Sequence, residues 1–304
     1  MDLYLPIAGL SVNVLVIIML GGAVGFLSGV FGVGGGFLTT PLLIFYGIPP
    51  TVAAASAATQ VTGSSISGIY AQLQRGGVDF RMGGVLVAGG VVGAVAGAGL
   101  FTLLREAGQI DTVIGVLYVT LLGSIGTLMA RDAWSQLRPS TQNTPPIKRK
   151  RGHHPIVAAL PLRWRFYRSG LFISPFAPAI LGFLTGILTV LLGVGGGFIM
   201  VPAMIYLLGM PARVVVGTSL FQILFVTAAT TLVHSLTTHA VDIVLAGLLL
   251  IGGVVGAQLG TRFATKVRPD LLRMALAIIV LIIAIIMALG LGWRPAEIYS
   301  VEAQ

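Results

Sequence analysis

The chain has 304 residues, of which 56% are hydrophobic and only 9% charged, with a mean hydropathy of +1.00; soluble domains carry about 25% charged residues. A soluble fold could not hide so much apolar surface from water, whereas a bilayer solvates it, so the composition points to a membrane-embedded chain. Cysteine is absent, which excludes disulfides, thiolate metal sites and cysteine nucleophiles. The formal net charge of +9 is concentrated, half of the 18 Lys and Arg lying between Arg131 and Arg168. That clustering reads as a membrane-topology signal and not as a nucleic-acid footprint.

In chain order, the N-terminus has Asp2 where a cleavable signal peptide would have basic residues, so no signal peptide is expected. Apolar stretches of spanning length, about 20 residues, run over 11–31, 52–73, 83–104 and 111–130. A polar, basic stretch over 131–170 follows, then further spans over 171–191, 212–234, 241–261 and 271–291. Two apolar pieces, 36–47 and 197–209, are too short to cross comfortably, and each follows a glycine cluster. These features predict an all-α integral membrane protein with an N-terminal membrane repeat over 1–130, a basic cytoplasmic linker over 131–170 and a C-terminal membrane repeat over 171–304. Each repeat has about four membrane helices plus a short glycine-broken half-helix.

The repeats match residue by residue. Phe31-Gly32-Val33-Gly34-Gly35-Gly36-Phe37 aligns with Leu192-Gly193-Val194-Gly195-Gly196-Gly197-Phe198, Pro41 with Pro202, and Ile48-Pro49 with Met210-Pro211. Ser56 and Gln60 align with Thr218 and Gln222, Val78-Asp79 with Val241-Asp242, and Gly89-Gly90-Val91-Val92-Gly93-Ala94 with Gly252-Gly253-Val254-Val255-Gly256-Ala257. Six landmarks in one order indicate an internal duplication.

With 131–170 placed in the cytoplasm, 16 basic residues fall inside and Arg105 and Arg294 outside, as the positive-inside rule requires. Both termini then lie outside and each repeat crosses an odd number of times, so the repeats are expected to have inverted topology, with a binding region between them. The segment Arg163-Trp164-Arg165-Phe166-Tyr167-Arg168 is expected at the inner surface against anionic membrane lipid. His153 and His154 read as solvated linker.

No Asp, Glu, Lys, Arg or His occurs over 3–74 or 169–210, so recognition inside the membrane has to come from backbone and neutral polar groups. Gly34, Gly35 and Gly36, with Gly195, Gly196 and Gly197, would leave amide N–H groups exposed at the start of a short helix, a combination that favours a small anion. Gln60 and Gln222 supply neutral side-chain donors, with Ser56, Thr59, Thr218 and Ser219 beside them as candidate substrate-binding hydroxyls. Thr62 and Thr227 also lie near the glutamines. The mid-helix sets Gly89, Gly90, Gly93 and Gly252, Gly253, Gly256 read as packing positions. Asp79 and Asp242 stand at helix starts, where caps belong. His234 and Asp242 are the candidates for proton coupling. No metal or cofactor site is expected, and neither a phosphate-binding loop nor a dinucleotide fingerprint is complete.

The glycine-triplet motif with Pro41, its repeat at Gly193–Pro202, and the run Val216-Gly217-Thr218-Ser219-Leu220-Phe221-Gln222 resemble the sulfite exporter TauE/SafE family over nearly the whole chain outside the linker. The resemblance implies a multi-pass permease of the inner membrane that exports sulfite, related sulfur oxyanions or organosulfonates. A passive anion channel is compatible with the same residues. An intramembrane enzyme would need a nucleophile–base pair or metal cluster, and the spans carry neither His-Glu-x-x-His nor Gly-x-Ser-x-Gly.

Overall fold

A computed structural model describes residues 2–31, 35–74, 76–137, 164–264 and 269–292. The order of elements occurs twice. A β-hairpin (β1, Asp2–Leu5; β2, Leu10–Asn13) leads into α1 (Val14–Phe31), the short α2 (Gly36–Phe45) and the long α3 (Pro50–Gln74), α4 (Phe80–Glu106) and α5 (Ile110–Leu137). A second hairpin (β3, Trp164–Phe166; β4, Leu171–Ile173) leads into α6 (Phe176–Leu192), the short α7 (Gly197–Tyr206), then α8 (Ala212–Val233), α9 (Ile243–Ala264) and α10 (Pro269–Gly292). A π-helical turn over His234–Thr238 extends α8.

The helices sit within a few residues of the apolar stretches, but both hairpins depart from an all-helical expectation. The second strand of each, β2 and β4, runs into the start of the predicted 11–31 or 171–191 span, and β3 with its turn falls inside the predicted linker. In both, the turn closes on a left-handed glycine, Gly9 at φ 68° and Gly170 at φ 66°, a conformation without penalty for glycine alone. Five helical segments among the described residues are long and apolar enough to cross a membrane: Phe80–Glu106, Ile110–Arg131, Val214–Thr238, Ile243–Gly260 and Met274–Gly292. The long α3 has the length but carries seven Ser, Thr and Gln residues between Thr51 and Ser65. It is shielded accordingly, packing against α2, α8 and α9 with most of 52–61 buried.

Glycine dictates the helix pairing. In α1, Gly21, Gly25 and Gly29 lie against the backbone of Leu249, Gly253 and Ala257 in α9, so closely that a Cβ would collide. In α4, Gly89 and Gly93 meet Ala179 and Phe183 of α6 in the same way. Residue numbers rise together along both contacts, so α1 runs parallel to α9 and α4 parallel to α6. The contacts Gly115–Leu291 and Gly126–Leu281 make α5 and α10 antiparallel. Thr59–Thr231 and Thr62–Thr227 do the same for α3 and α8. Large apolar side chains such as Met19, Val92, Val95, Ile285 and Leu289 remain exposed on the outer faces, as expected where lipid is the solvent.

Candidate functional site

The glycine clusters interrupt helices and lie against each other. The α6 helix ends at Leu192 on left-handed Gly193 (φ 70°), and α7 starts after Gly195 and Gly196, both at φ 73°. In the first half the gap between α1 and α2 contains Gly34, which lies outside the described residues, and closes at Gly35. A Cβ on Gly36 would strike the carbonyl of Val194, and one on Gly193 would strike that of Ala54. Phe37 and Phe198, the first side chains of α2 and α7 after their glycines, stack at 4.5 Å and 9°. The second break is thus packed against the start of α2, and the starts of α2 and α7 meet there.

Orphan carbonyls at this break find partners across the halves. Thr40 Oγ1 donates to Leu192 O at 3.0 Å, and Tyr118 Oη donates to the same oxygen at 2.6 Å. Gly195 is bounded by Val61, Thr227 and Ile223, and Gly196 by Thr185 and Thr189. Gly197 begins α7 fully buried.

Gln60 and Gln222 are 3% and 0% exposed. Thr39 Oγ1 donates to Gln60 Oε1 at 2.8 Å and also lies 3.2 Å from Gly35 O, tying α3 to the start of α2. Gln222 Nε2 reaches Thr185 Oγ1 at 3.4 Å, and Gln222 Oε1 is buried without a hydrogen-bond partner among the described residues. Both amide nitrogens lean on the glycine face of a neighbouring helix, Gln60 against Gly253 and Gln222 against Gly90, 3.0 and 3.4 Å from where a Cβ would stand. Gly90 and Gly253 therefore pack, as their spacing suggests, and also leave room for the glutamine amides. Beside them Thr62 donates to Thr227 at 2.8 Å, and Thr59 and Thr231 share a hydrogen bond at 3.3 Å.

Other candidates are engaged elsewhere. Ser56 Oγ accepts from Asp242 N at 3.3 Å, and Thr218 Oγ1 accepts from Asp79 N at 3.0 Å. Ser219 donates to Val216 O within its own helix. Asp79 caps α4 by accepting from Arg81 N and Met82 N, and Asp242 caps α9 by accepting from Val244 N and Leu245 N. His234 is fully buried in the π-helical turn, edge-on to Phe101. Its Nε2 lies 2.9 Å from Val190 O, and its Nδ1 lies 3.2 Å from Thr238 Oγ1. A carbonyl can only accept, so Nε2 carries a proton, and the Thr238 hydroxyl donates to His234 O at 2.9 Å. Among the described residues no group of three His, Asp or Glu could hold a metal.

Thr39, Thr40, Thr185 and Tyr118 were not singled out from sequence. Thr39 and Thr40 follow the glycine triplet directly, a usable signal, whereas Thr185 and Tyr118 reach the break only through tertiary packing.

A membrane-embedded helical bundle with paired, uncharged helix breaks defines a multi-pass transporter class, and comparison with known proteins agrees. The family profile described as "Sulfite exporter TauE/SafE" matches residues 17–287, and the chain belongs to that family. It is similar to the probable membrane transporter protein YjnA of Bacillus subtilis, 29% identical over 88% of this chain and 96% of the relative. A probable membrane transporter protein of Xylella fastidiosa (strain Temecula1) is 29% identical over 90% of this chain and 94% of its own. The Bacillus subtilis protein YunE, also a probable membrane transporter, is 25% identical over 88% and 94%. No solved structure matches the chain.

Proposed function

We propose that the protein exports sulfite, a related sulfur oxyanion or an organosulfonate across the cytoplasmic membrane, binding it between two inverted repeats. The observation that carries this reading is the apposition of the two glycine breaks beside two buried glutamines. Backbone amides around Gly34–Gly36 and Gly195–Gly197 would face the anion, and Gln60 and Gln222 would add side-chain donors. Thr59 extends this polar surface, with Ser219 beside it, while Ser56 and Thr218 hold the surrounding helix ends. A fixed arginine would bind more tightly but would oppose release on the far side, whereas neutral donors let the ion leave.

Inversion is supported by the pairing directions. If α1 points one way, α9 follows it, α10 and α6 oppose it, and α8 opposes α3, so α1, α3, α4 and α5 each run opposite to their repeat-mates. His234 and Asp242, near one end of the bundle, are the groups placed to couple a proton.

The test is flux into vesicles containing the purified protein. Sulfite or sulfoacetate flux should saturate and show counterflow. Conductance far above carrier turnover would make the protein a channel, and no response to sulfite, sulfate, thiosulfate, sulfoacetate or taurine would overturn the substrate class.

A further inference from the structure

The two hairpins have the same turn in the same register. Leu5 pairs with Leu10 and Phe166 with Leu171, and the turn glycine amide donates to Leu5 O or Phe166 O at 2.9 Å in each. Ile7 therefore stands where the second turn has Arg168, and Ala8 where it has Ser169. The second turn is latched onto the loop before α4. Arg168 Nη1 donates to Gly76 O and Val78 O at 3.1 and 3.3 Å, while the amide and hydroxyl of Ser169 both donate to Asp79 Oδ2. An isoleucine and an alanine side chain cannot do this. Asp242, the repeat-mate of Asp79, has its Oδ2 buried with no hydrogen-bond partner among the described residues. A cavity of about 300 Å³ lies between the first turn and the 238–240 loop, its wall including Ile7, Thr51, Phe101, Arg105, Thr238 and His239.

Arg105 places a fixed positive charge on this cavity. One of its guanidinium nitrogens donates to Thr238 O at 3.2 Å, which holds the group in position, and a guanidinium has five donors in a fork that matches an oxyanion. From Thr238 in its wall a chain of hydrogen bonds leads inward. Thr238 meets His234, His234 reaches Val190 O, and two residues on lies Leu192, whose carbonyl accepts from Thr40 and Tyr118 at the glycine break.

We propose that this cavity is a vestibule that binds a small oxyanion on Arg105, on the β1–β2 side of the transporter, where the exported ion arrives after the glycine breaks. The choice of ion rests on the export reading above; the vestibule is a second, charged site outside the neutral one. The experiment is sulfite flux through the full chain in vesicles, run against the export direction and read as half-saturating concentration and maximal rate with sulfite supplied from the β1–β2 side. Losing a hydrogen-bonded charge should raise the half-saturating concentration about ten-fold in Arg105→Gln, with the maximal rate nearly kept, and Arg105→Lys should recover most of the loss. Thr51→Phe, which fills the cavity and leaves the guanidinium alone, should also impair flux from that side. Parental kinetics in both Arg105→Gln and Thr51→Phe would overturn the vestibule while leaving the export reading intact. Equal loss in the Gln and Lys variants with an early thermal melt would overturn it too, by making Arg105 a structural tie to Thr238. A parent protein that moves no sulfite would instead overturn the export reading, and the vestibule with it.

Discussion

Gln60 and Gln222 hold corresponding places in the repeat, and each is kept by a single threonine from a different kind of element. Thr39 lies on the broken helix itself, so Gln60 is coupled to the first glycine break, whereas Thr185 lies on the helix before the second. If these amides bind the anion, each hydrogen bond to a charged group is worth about 1.5–3 kcal/mol. Gln60→Ala and Gln222→Ala should then each lower sulfite affinity roughly ten- to hundred-fold in a binding isotherm, with the thermal melt little changed. Unchanged affinity in both variants would make the glutamines structural and misplace the site. Gly196→Val should do more damage, since Gly196 is left-handed and packed on Thr185 and Thr189, where a β-branched residue is strained. The control belongs at Gly99, around which a Cβ meets nothing within 4 Å. Gly90 is unsuitable, because a methyl group there would press on Val226 and approach the Gln222 amide.

Among the elements, the close helix pairs are built by rows of glycine and the helix starts by aspartate. Gly93→Val would drive a side chain into the backbone of Phe183. Overpacking of this kind costs about 1–3 kcal/mol or more, so the variant should melt early or fail to accumulate in the membrane. Gly84→Val, at an open position on the same helix, should behave as the parent. Similar melts for the two would show that α4 does not pack on α6 through this face. Ser169→Ala should destabilise by about 1–3 kcal/mol, because it removes a donor from the buried Asp79 carboxylate. The helices were legible in the sequence because apolar length and glycine punctuation are local signals. The hairpins were not, since strands of three or four residues carry too little alternation to be read. The glycine breaks and glutamines were found because they repeat. Thr185 and Tyr118 join the site only when distant helices pack, and no local pattern announces that.

For the whole molecule, the pairings α1 with α9 and α4 with α6 exchange under the duplication, while α3–α8 and α5–α10 map onto themselves. Such a set is what a two-fold relation between halves produces, and the antiparallel self-paired helices favour an axis lying in the membrane plane. Inversion makes a definite claim about sidedness, because a loop and its repeat-mate must then face opposite compartments. The turn 76–79 corresponds to 239–242, and 107–109 follows one helix later. With the basic residues inside, 76–79 would face the cytoplasm and 107–109 the exterior. The chain has no native cysteine, so a single introduced thiol reports its own position. Gln74 and Gln109 are both exposed in the structure, which removes burial as a reason for unequal reaction. In intact cells an impermeant thiol reagent should label Gln109→Cys and spare Gln74→Cys until the membrane is opened. Labelling of Gln74→Cys alone would reverse the orientation while keeping the inverted architecture. Equal labelling of both before permeabilisation would put the two ends of α4 on one side of the membrane, and neither the crossing of α4 nor the inverted repeat would survive it.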